Sequence, residues 1–417
     1  MPKISTKFKE TDIGPIPEEW EVVNIGEALE IIDGDRGVNY PNESDFLEGD
    51  YCLFLNAKNV CGDSFDFSNC QFISKKKDLQ LRKGKMQRGD FVLTTRGTVG
   101  NIAFYDKSIP FENMRINSGM VILRNGTDFD SKYLFQLLKS LVIKNQIIEL
   151  TTGSAQPQLP IRDINFLKLV KPPLREQCRI AEILSSLDDK IELNRKINAN
   201  LEKLASTLFK KWFVDIGDKL PEGWRMGKVS DLIKIESGFP FNSSMFDESG
   251  NYELVTIKNV QDGQFVSECT DSLSVMPEKM PNHCKLKTSD ILLSLTGNVG
   301  RICIVTGENY LLNQRVAVLV PINERDRAYT YLLFRQKDFQ NTLMGISRGT
   351  AQQNLSPIET RSLELTIPSD EVLKHFALIA NPIFEAMVGN FNQIKNFSVL
   401  RDSLLPRLMS GKIRTTT

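Results

Sequence analysis

Two glycine-rich loops carry side chains suited to contact nucleic acid. They read RGTVG at 96–100 and TGNVG at 296–300. Glycine lets a backbone approach a phosphate, and hydroxyl and amide groups bond phosphate oxygens. Arg96 adds a planar fork that suits a guanine edge or a phosphate, and it follows Thr94 and Thr95. A tight β-turn that needs positive φ would explain the glycines equally well. The loops are therefore candidate nucleic-acid contacts, with Arg96 favouring that interpretation.

Two further segments offer uncharged amide groups, GSAQPQ at 153–158 and GTAQQN at 349–354. Gln and Asn can pair with adenine through two hydrogen bonds, although a polar segment that joins a domain to a following helix would look the same. The complete set of predicted contacts is Lys58, Asn59, Lys75, Lys76, Lys77, Arg82, Lys83, Thr94, Thr95, Arg96, Thr98, Arg115, Asn117, Ser154, Gln156, Gln158, Lys258, Asn259, Thr296, Asn298, Asn313, Gln314, Arg315, Arg348, Thr350, Gln352, Gln353 and Asn354.

The densest basic patch covers residues 75–88, with five of its members in the set above. The chain as a whole has 52 basic and 52 acidic residues, so its net charge gives no support to a nucleic-acid partner. Binding to phosphates needs only a local patch, and a solvated loop is the alternative explanation. The patch is predicted to contact phosphates if the protein binds DNA.

The composition argues against a hydrolase and against a metal site. Only two histidines are present, which leaves little material for a histidine base or a Ser-His-Asp triad. The seven cysteines form no C-x-x-C pair and are expected to be free thiols. No apolar run approaches the roughly 18 residues of a membrane span, and the first residues lack the apolar core of a signal peptide. We expect a cytoplasmic protein that makes no membrane contact.

The sequence elements that position these residues occur twice in the chain, as an internal repeat. IPEEW, ending at residue 20, matches LPEGW, ending at residue 224, and AKNV at 57–60 matches IKNV at 257–260. GDFVLTTRGTVGNIAFY then matches SDILLSLTGNVGRICIV, and GSAQPQL matches GTAQQNL. Each copy alternates short β-type runs with turn signals and then continues into helical sequence. The pattern predicts two α+β domains.

A long helix at 172–213 follows the first copy, and its apolar residues recur at alternating steps of four and three. An offset of 196 residues, or 28 heptads, produces a second seam at 376–408, where Asn381-Pro382 is expected to start or kink the helix. Two amphipathic helices that pack only on their own domains are the alternative to pairing. The predicted seam is Ile180, Leu184, Leu187, Ile191, Asn194, Asn198, Leu201, Leu208, Trp212, Phe376, Ile383, Met387, Asn390, Ile394, Phe397, Leu404 and Leu408.

Polar residues interrupt this seam at equivalent places. An Asn that faced a leucine would lose its hydrogen bonds, so Asn194 and Asn198 are expected to face polar groups of the second helix, Asn390 among them. The remaining polar residues are predicted to lie outside, toward solvent or partner proteins. They are Arg175, Glu176, Gln177, Lys190, Arg195, Lys196, Lys210 and Lys211.

The chain resembles the specificity (S) subunits of type I restriction-modification systems. The run PPLREQCRIAEILSSLDDKIELNRKINANLEKLASTLFKKWF resembles their central conserved region, and LRDSLLPRLMSGKI at 400–413 resembles their distal one. The second helix begins PSDEVLKHFALIANPIF and lacks the PPLxEQ opening of the first. The resemblance implies two α+β target-recognition domains, at 1–171 and 216–368. It also implies two long helices, at 172–215 and 369–417, that pair as an antiparallel coiled coil.

The resemblance further implies a non-catalytic subunit that gives a complex its DNA specificity. Each recognition domain would read one half of a bipartite site in double-stranded DNA, and the coiled coil would set the spacer. Two methyltransferase subunits and the restriction-motor subunits would be partners, carrying S-adenosylmethionine, ATP and magnesium, with no cofactor in this chain. A single-chain nuclease or methyltransferase is the alternative from another class, although the chain has no Walker A, G-x-G-x-x-G or N-P-P-Y motif. A coiled-coil adaptor that binds only proteins is the third interpretation.

Overall fold

A computed structural model describes residues 7–153, 156–217, 219–349 and 353–415. The predicted contacts Ser154, Thr350 and Gln352 lie outside these ranges. The chain divides into two compact units. Unit 1 comprises residues 1–188 with 399–417, and unit 2 comprises residues 189–398.

Unit 1 is built on two sheets of short strands. The larger sheet is antiparallel, in the order Ile102–Phe104, Phe91–Thr94, Met120–Asn125 and Leu29–Asp33. The smaller sheet has the order Met114–Ile116, Cys52–Leu55 and Phe72–Ile73, and its first two strands are parallel. Two-stranded ribbons pair Phe8–Lys9 with Ile16–Pro17, Glu21–Asn24 with Lys168–Lys171, and Val60–Cys61 with Ser64–Phe65.

Helices cover the larger sheet of unit 1 and form a core with it. The helices of this unit span Ile25–Ala28, Lys75–Gln80, Ser131–Lys139, Leu141–Leu150 and Ile161–Ile164. Asp130 starts the third of these by accepting a hydrogen bond from the Tyr133 amide at 2.9 Å. The fully buried side chains of Phe91, Val121 and Leu134 belong to one apolar cluster between the sheet and the helices. Burial of this apolar face fixes the side of the sheet on which the helices lie.

Unit 2 repeats this arrangement. Its first sheet has the order Ile233–Ser237, Val316–Pro321, Ile291–Ser294 and Ile302–Ile304. Its second has the order Ser272–Leu273, Tyr252–Val255, Tyr310–Leu312 and Lys285–Leu286. Ribbons pair Arg225–Lys228 with Glu364–Ile367 and Val260–Gln261 with Gln264–Phe265, and the helices span Arg327–Arg335, Lys337–Ile346 and Pro357–Arg361. The predicted α+β repeat is confirmed.

Two long helices supply the predicted seam. The central helix spans Leu174–Phe209 and continues as a π-helical turn at Lys210–Val214, and the distal helix spans Asp370–Met409. Asn381-Pro382 is expected to start or kink the distal helix, and it does not start it, because the helix begins eleven residues earlier. Every predicted seam residue is buried or half-buried. The two helices pair antiparallel within each unit: Asp188 bonds Arg401 in unit 1, and Asn198 bonds Asn390 in unit 2.

The polar residues in the seam bond one another, as predicted. Within unit 2, Asn194 Nδ2 donates to Gln393 Oε1 at 3.1 Å, and Asn198 Nδ2 donates to the carbonyl oxygen of Met387 at 3.1 Å. Asn390 Nδ2 donates to Asn198 Oδ1 at 2.8 Å. The amides therefore satisfy one another inside the apolar seam, and any slip in register would separate them.

The distal helix is the one described element that is long and apolar enough to cross a membrane, by length and composition alone, with a hydropathy of 1.2 over its best window. The core helix of a soluble protein passes the same test. Its residues Phe376, Ala380, Phe384 and Met387 are buried in the apolar core of unit 2, which accounts for its composition.

Candidate nucleic-acid interface

The ends of several strands meet at one edge of unit 1. The Asn117 amide donates to the carbonyl oxygen of Leu55 at 2.9 Å, and the Thr95 amide donates to that of Gly119 at 2.8 Å. Gly34 packs so closely on Asn117 that a Cβ there would lie 2.2 Å from its carbonyl oxygen. The loops that follow the strands ending at Asp33, Leu55, Thr94 and Ile116 are therefore neighbours. We call this side of the unit the loop edge.

Four predicted contacts are exposed at the loop edge of unit 1. Arg96, Thr98, Gln156 and Gln158 are exposed, and a β-bridge joins Arg96 to Gln158. The sequence motif RGTVG and the later Gln segment are thus brought together from positions about 60 residues apart. Gly97 and Gly100 have φ of +75° and +94°, so the turn needs glycine whether or not it meets a phosphate.

Other predicted contacts at this edge are already used inside the protein. Thr94 and Thr95 are buried. The Thr94 hydroxyl donates to the carbonyl oxygen of Thr98 and accepts from the Asn101 amide at 3.0 Å. Asn117 is half-buried, and its Oδ1 accepts from the Gly119 amide at 2.9 Å. The side chains of Thr94 and Asn117 therefore hold the loops together from within, and that of Thr95 is buried.

Unit 2 has an equivalent edge, and it forms a polar cleft. The cleft has a volume of about 570 Å³, and Thr296, Gln314, Arg315 and Asn354 line it. Thr296 Oγ1 donates to Asn354 Oδ1 at 3.0 Å. A β-bridge also joins these two residues, in the same way as Arg96 and Gln158 are joined in unit 1. The two units therefore present different side chains on the same framework.

The other predicted contacts of unit 2 lie around this cleft. Asn298 and Gln353 are exposed, and the Gln353 carbonyl oxygen accepts from the Gly297 amide at 3.0 Å. Asn313 is half-buried, and Arg348 is exposed and forms an ion pair with Glu359. The segment 296–300 and the described residues Arg348, Gln353 and Asn354 thus converge on one surface.

The paired AKNV and IKNV motifs have a structural explanation. The Asn59 Nδ2 donates to the carbonyl oxygens of Asp66 and Asn69, at 3.0 and 2.9 Å. Asn259 makes the same contacts to Val266 and Glu268. Both Asn side chains are buried and close a hairpin, and only the preceding lysines, 58 and 258, are exposed. The repeat of this motif follows from the repeat of the hairpin.

The basic patch of unit 1 divides into exposed and paired residues. Lys75, Lys76, Arg82 and Lys83 are exposed. Lys77 is half-buried and forms an ion pair with Asp45 at 2.8 Å. The exposed members alone are available to a partner.

Arg115 belongs to the interior of unit 1. It is 6% exposed, and its Nε donates to Asp78 Oδ1 at 2.6 Å while Lys85 Nζ donates to Oδ2 at 2.8 Å. Burial by itself would raise the pKa of Asp78, but the hydrogen bonds and positive charges of Lys85 and Arg115 outweigh it and lower the pKa below its ordinary value. Arg115 therefore neutralises a buried carboxylate.

The opening of the central helix is also interior, so the prediction that Glu176 and Gln177 lie outside is wrong. The Glu176 carboxylate accepts from Trp20 Nε1 at 3.0 Å and from Arg414 Nε at 2.9 Å. Gln177 Oε1 accepts from the Asp130 amide at 2.9 Å. These residues bind the helix to its own unit. The other six members of that set are exposed, as predicted.

Sequence reasoning missed one element of the loop edge, residues 35–41, which follow the strand Leu29–Asp33. It carries no motif, and its position became apparent only from the packing of Gly34 on Asn117. The described residues contain no group of three or more His, Cys, Asp and Glu placed to hold a metal ion.

The comparisons with known proteins agree with this geometry. The family model described as the type I restriction modification DNA specificity domain matches residues 17–203 and 221–379. The type I restriction enzyme MjaIX specificity subunit of Methanocaldococcus jannaschii is 25% identical over 98% of this chain and 97% of its own. The HindI specificity subunit of Haemophilus influenzae is 26% identical over 91% of this chain and 98% of its own.

A solved structure extends the likeness to the fold. The S subunit of a type I restriction-modification system from M. genitalium superposes with a TM-score of 0.59 at 16% identity, covering 97% of this chain and 99% of that one. The family model matches both repeats, and the two relatives match across nearly their whole length. The chain therefore belongs to the family of type I restriction-modification DNA specificity proteins, as a non-catalytic specificity subunit.

Proposed function

We propose that each unit binds one half of a bipartite site in double-stranded DNA through its loop edge. The observation that carries this is the repeated framework with different side chains: Arg96 and Gln158 in unit 1 stand where Thr296 and Asn354 stand in unit 2. A shared framework gives both units the same approach to the duplex. Different hydrogen-bonding groups at its surface select different bases, because specificity comes from contacts to base edges.

The burial of some predicted residues reduces the number that we propose as DNA contacts. Side chains that are already hydrogen-bonded in the interior would have to break those bonds to reach DNA, so they are assigned a structural role. The exposed residues are proposed to bind bases or nearby phosphates at the loop edges, and the exposed basic residues to bind phosphates. They are Lys58, Arg96, Thr98, Gln156, Gln158, Lys75, Lys76, Arg82 and Lys83 in unit 1, and Lys258, Asn298, Gln314, Arg315, Gln353 and Asn354 in unit 2, together with the half-buried Thr296, which lines the cleft.

The two long helices are proposed to set the spacer between the half-sites and to hold two methyltransferase subunits. Their outer faces carry exposed apolar side chains, among them Leu193 (57% exposed), Leu204 (50%) and Leu378 (75%). Apolar side chains that project from a helix already buried on its other face favour a protein partner. Restriction-motor subunits would join the same complex in the cytoplasm. S-adenosylmethionine, ATP and magnesium would be bound by these partners.

The test of DNA recognition is a binding selection with a randomised DNA library, using the full chain assembled with the methyltransferase of its own system. The expected result is a bipartite consensus. Arg96→Ala should relax one half of it and Arg315→Ala the other, each costing about 1–3 kcal/mol of discrimination. Lys107→Ala, in a turn beyond the strand that ends at Phe104 and away from the loop edge, is the matched control. If the wild-type complex selects no sequence, or if both variants relax the same half, the proposal is wrong.

The spacer has a separate test. Deleting one heptad from each helix removes about 10 Å of helix, at 1.5 Å per residue, which corresponds to roughly three base pairs. The accepted spacer should change while both half-site sequences persist. A protein that acted only as a coiled-coil adaptor would select no DNA in either experiment.

A further inference from the structure

One loop differs in length between the loop edges of the two units. Gly34 matches Gly238, 204 residues later, and Asn42 matches Asn242, 200 residues later. Both Asn residues begin a single turn of 3₁₀ helix, and each accepts a hydrogen bond from the amide two residues on. The segment between these landmarks is therefore four residues longer in unit 1. We call residues 35–41 of unit 1 the inserted loop.

The inserted loop is fixed at both ends. Asp35 is 6% exposed, and its carboxylate accepts from the amides of Gly37 and Arg82, both at 2.7 Å. A Cβ at Gly37 would lie 2.7 Å from Arg82 Nη2, so the guanidinium packs directly on the loop. At the other end Tyr40 packs edge-on against Phe54, with ring centroids 5.8 Å apart. The anchored ends restrict the positions that the tip of the loop can take.

The tip presents one apolar side chain. Val38 is 100% exposed, the most exposed large apolar residue of the described chain. Arg36 beside it donates to the carbonyl oxygen of Ser118 at 3.4 Å, which places the tip next to the loops that carry Asn117 and Arg96. An isopropyl group on a tethered loop, in the middle of a polar edge, gains nothing from the protein itself. The position of Val38 at the loop edge, the proposed DNA-binding surface, indicates which kind of group would pack on it.

We propose that Val38 is a specificity determinant of the half-site bound by unit 1, and that its isopropyl group packs on the 5-methyl group of a thymine in the major groove. This rests on the proposed function of the loop edge. Valine has no group to donate to a phosphate, so it adds nothing to sequence-independent binding. The methyl group of thymine is the one apolar feature among the base edges of the major groove, and it is the contact that an apolar side chain reads.

The test compares DNA with and without that methyl group. After the consensus of the wild-type complex is known, each thymine of the half-site bound by unit 1 is replaced singly by uracil, which removes the methyl and keeps the base pair. At one position the wild type should lose affinity by about fourfold, the effect of one methyl group taken from water. Val38→Ala and Val38→Ser should bind both DNAs equally at that position. Thymine replaced by uracil in the other half-site should affect the wild type and the variants alike.

Val275→Ala is the matched control, because Val275 is 73% exposed and follows the strand Ser272–Leu273 at the opposite end of unit 2 from its cleft. This control should respond to uracil as the wild type does. If the Val38 variants keep the wild-type response at every thymine, or weaken binding to all sequences equally, the inference is wrong while the bipartite consensus still supports the proposed function. A wild type that selects no consensus would overturn both. A thermal unfolding curve that matches the wild type shows that each variant is folded.

Discussion

Replacing Asn198 in the helix pair should destabilise the pairing in unit 2 by about 2–3 kcal/mol. Asn198 is 4% exposed and makes two hydrogen bonds across the seam, donating to the Met387 carbonyl oxygen and accepting from Asn390 Nδ2. In Asn198→Ala the loss of each bond costs about 1 kcal/mol. The half-buried Asn390 amide then has no hydrogen-bond partner, and part of the cost of removing it from water is added to the loss of stability. The Met387 carbonyl stays satisfied, because it lies inside a helix.

Changing both partners should recover most of this loss. Asn198→Leu combined with Asn390→Leu leaves no orphaned amide and buries apolar surface, so the double variant should lie within about 1 kcal/mol of the wild type. The coupling energy between the two positions should be about 1–2 kcal/mol. The double variant should also lose register specificity, since the amides no longer penalise a shifted alignment.

The assay is hydrogen exchange of the full chain read by mass spectrometry in peptides from 189–205 and 383–397. Local exchange is preferable to a global melt, because a chain with two units need not unfold in one step. Asn198→Ala should raise exchange there by roughly 30- to 150-fold, the equivalent of that free energy. Asn200→Ala, on the exposed face of the same helix, should change it by less than about 0.5 kcal/mol. An Asn198→Ala variant that exchanges like this control would refute the reasoning.

Three further outcomes are expected. The double variant Lys75→Ala and Lys76→Ala should reduce the slope of log K against log salt by about 0.9 for each phosphate that is no longer neutralised, equally for all DNA sequences. Arg414→Ala should destabilise unit 1 by about 3–5 kcal/mol, measured by hydrogen exchange in peptides of unit 1, because it leaves the buried Glu176 carboxylate without its ion pair. Asp78→Asn should destabilise unit 1 strongly at pH 7. The difference from the wild type should shrink as the pH falls below 3.8, because the pKa of Asp78 is lowered in the folded protein and the stabilisation from its ionised carboxylate is lost when that carboxylate is protonated.

Each of these has a control. Lys107→Ala should leave the salt slope unchanged, and Lys412→Ala, exposed beside Arg414, should leave hydrogen exchange in unit 1 nearly unchanged. Equal destabilisation by Asp78→Asn at pH 7 and pH 3 would contradict the charge pairing with Arg115 and Lys85. A sequence-dependent effect of the lysine variants would assign that surface to base recognition instead.

The features that could be predicted from the sequence are those that depend on the spacing of apolar residues and on the internal repeat. The seam is recognisable because its apolar residues recur every 3.5 residues and because the same phase returns 196 residues later. That pattern predicted that Asn194 and Asn198 face polar groups of the second helix, with Asn390 among them, and the structure shows which of the two Asn390 bonds. Motifs in the sequence indicated that Arg96 and Gln158 are functional candidates. Their contact depends on the sheet topology, which the spacing of the motifs does not reveal.

The features that could not be predicted are buried charged residues whose ion-pair partners lie far away in the sequence. Arg115 alternates with apolar residues as an exposed strand residue would, and its burial is explained only by Asp78, 37 residues earlier. Glu176 looks like an ordinary solvent-facing helix residue until Arg414, 238 residues later, reaches it. A charged side chain at an interior site is recognisable only when its counter-charge is known.

The contact between Glu176 and Arg414 bears on the order in which the protein assembles during synthesis. Gly411 packs on Pro17 and Trp20, and Arg414 joins Glu19 and Glu176, so residues 399–415 complete unit 1. Unit 2 is one uninterrupted stretch, residues 189–398, and lies between the two parts of unit 1 in the sequence. A nascent chain leaving the ribosome therefore holds every residue of unit 2 before it holds the last segment of unit 1. Although most of unit 1 is synthesised before unit 2, unit 1 would be the last to finish folding, and a premature stop shortly after residue 398 would damage unit 1.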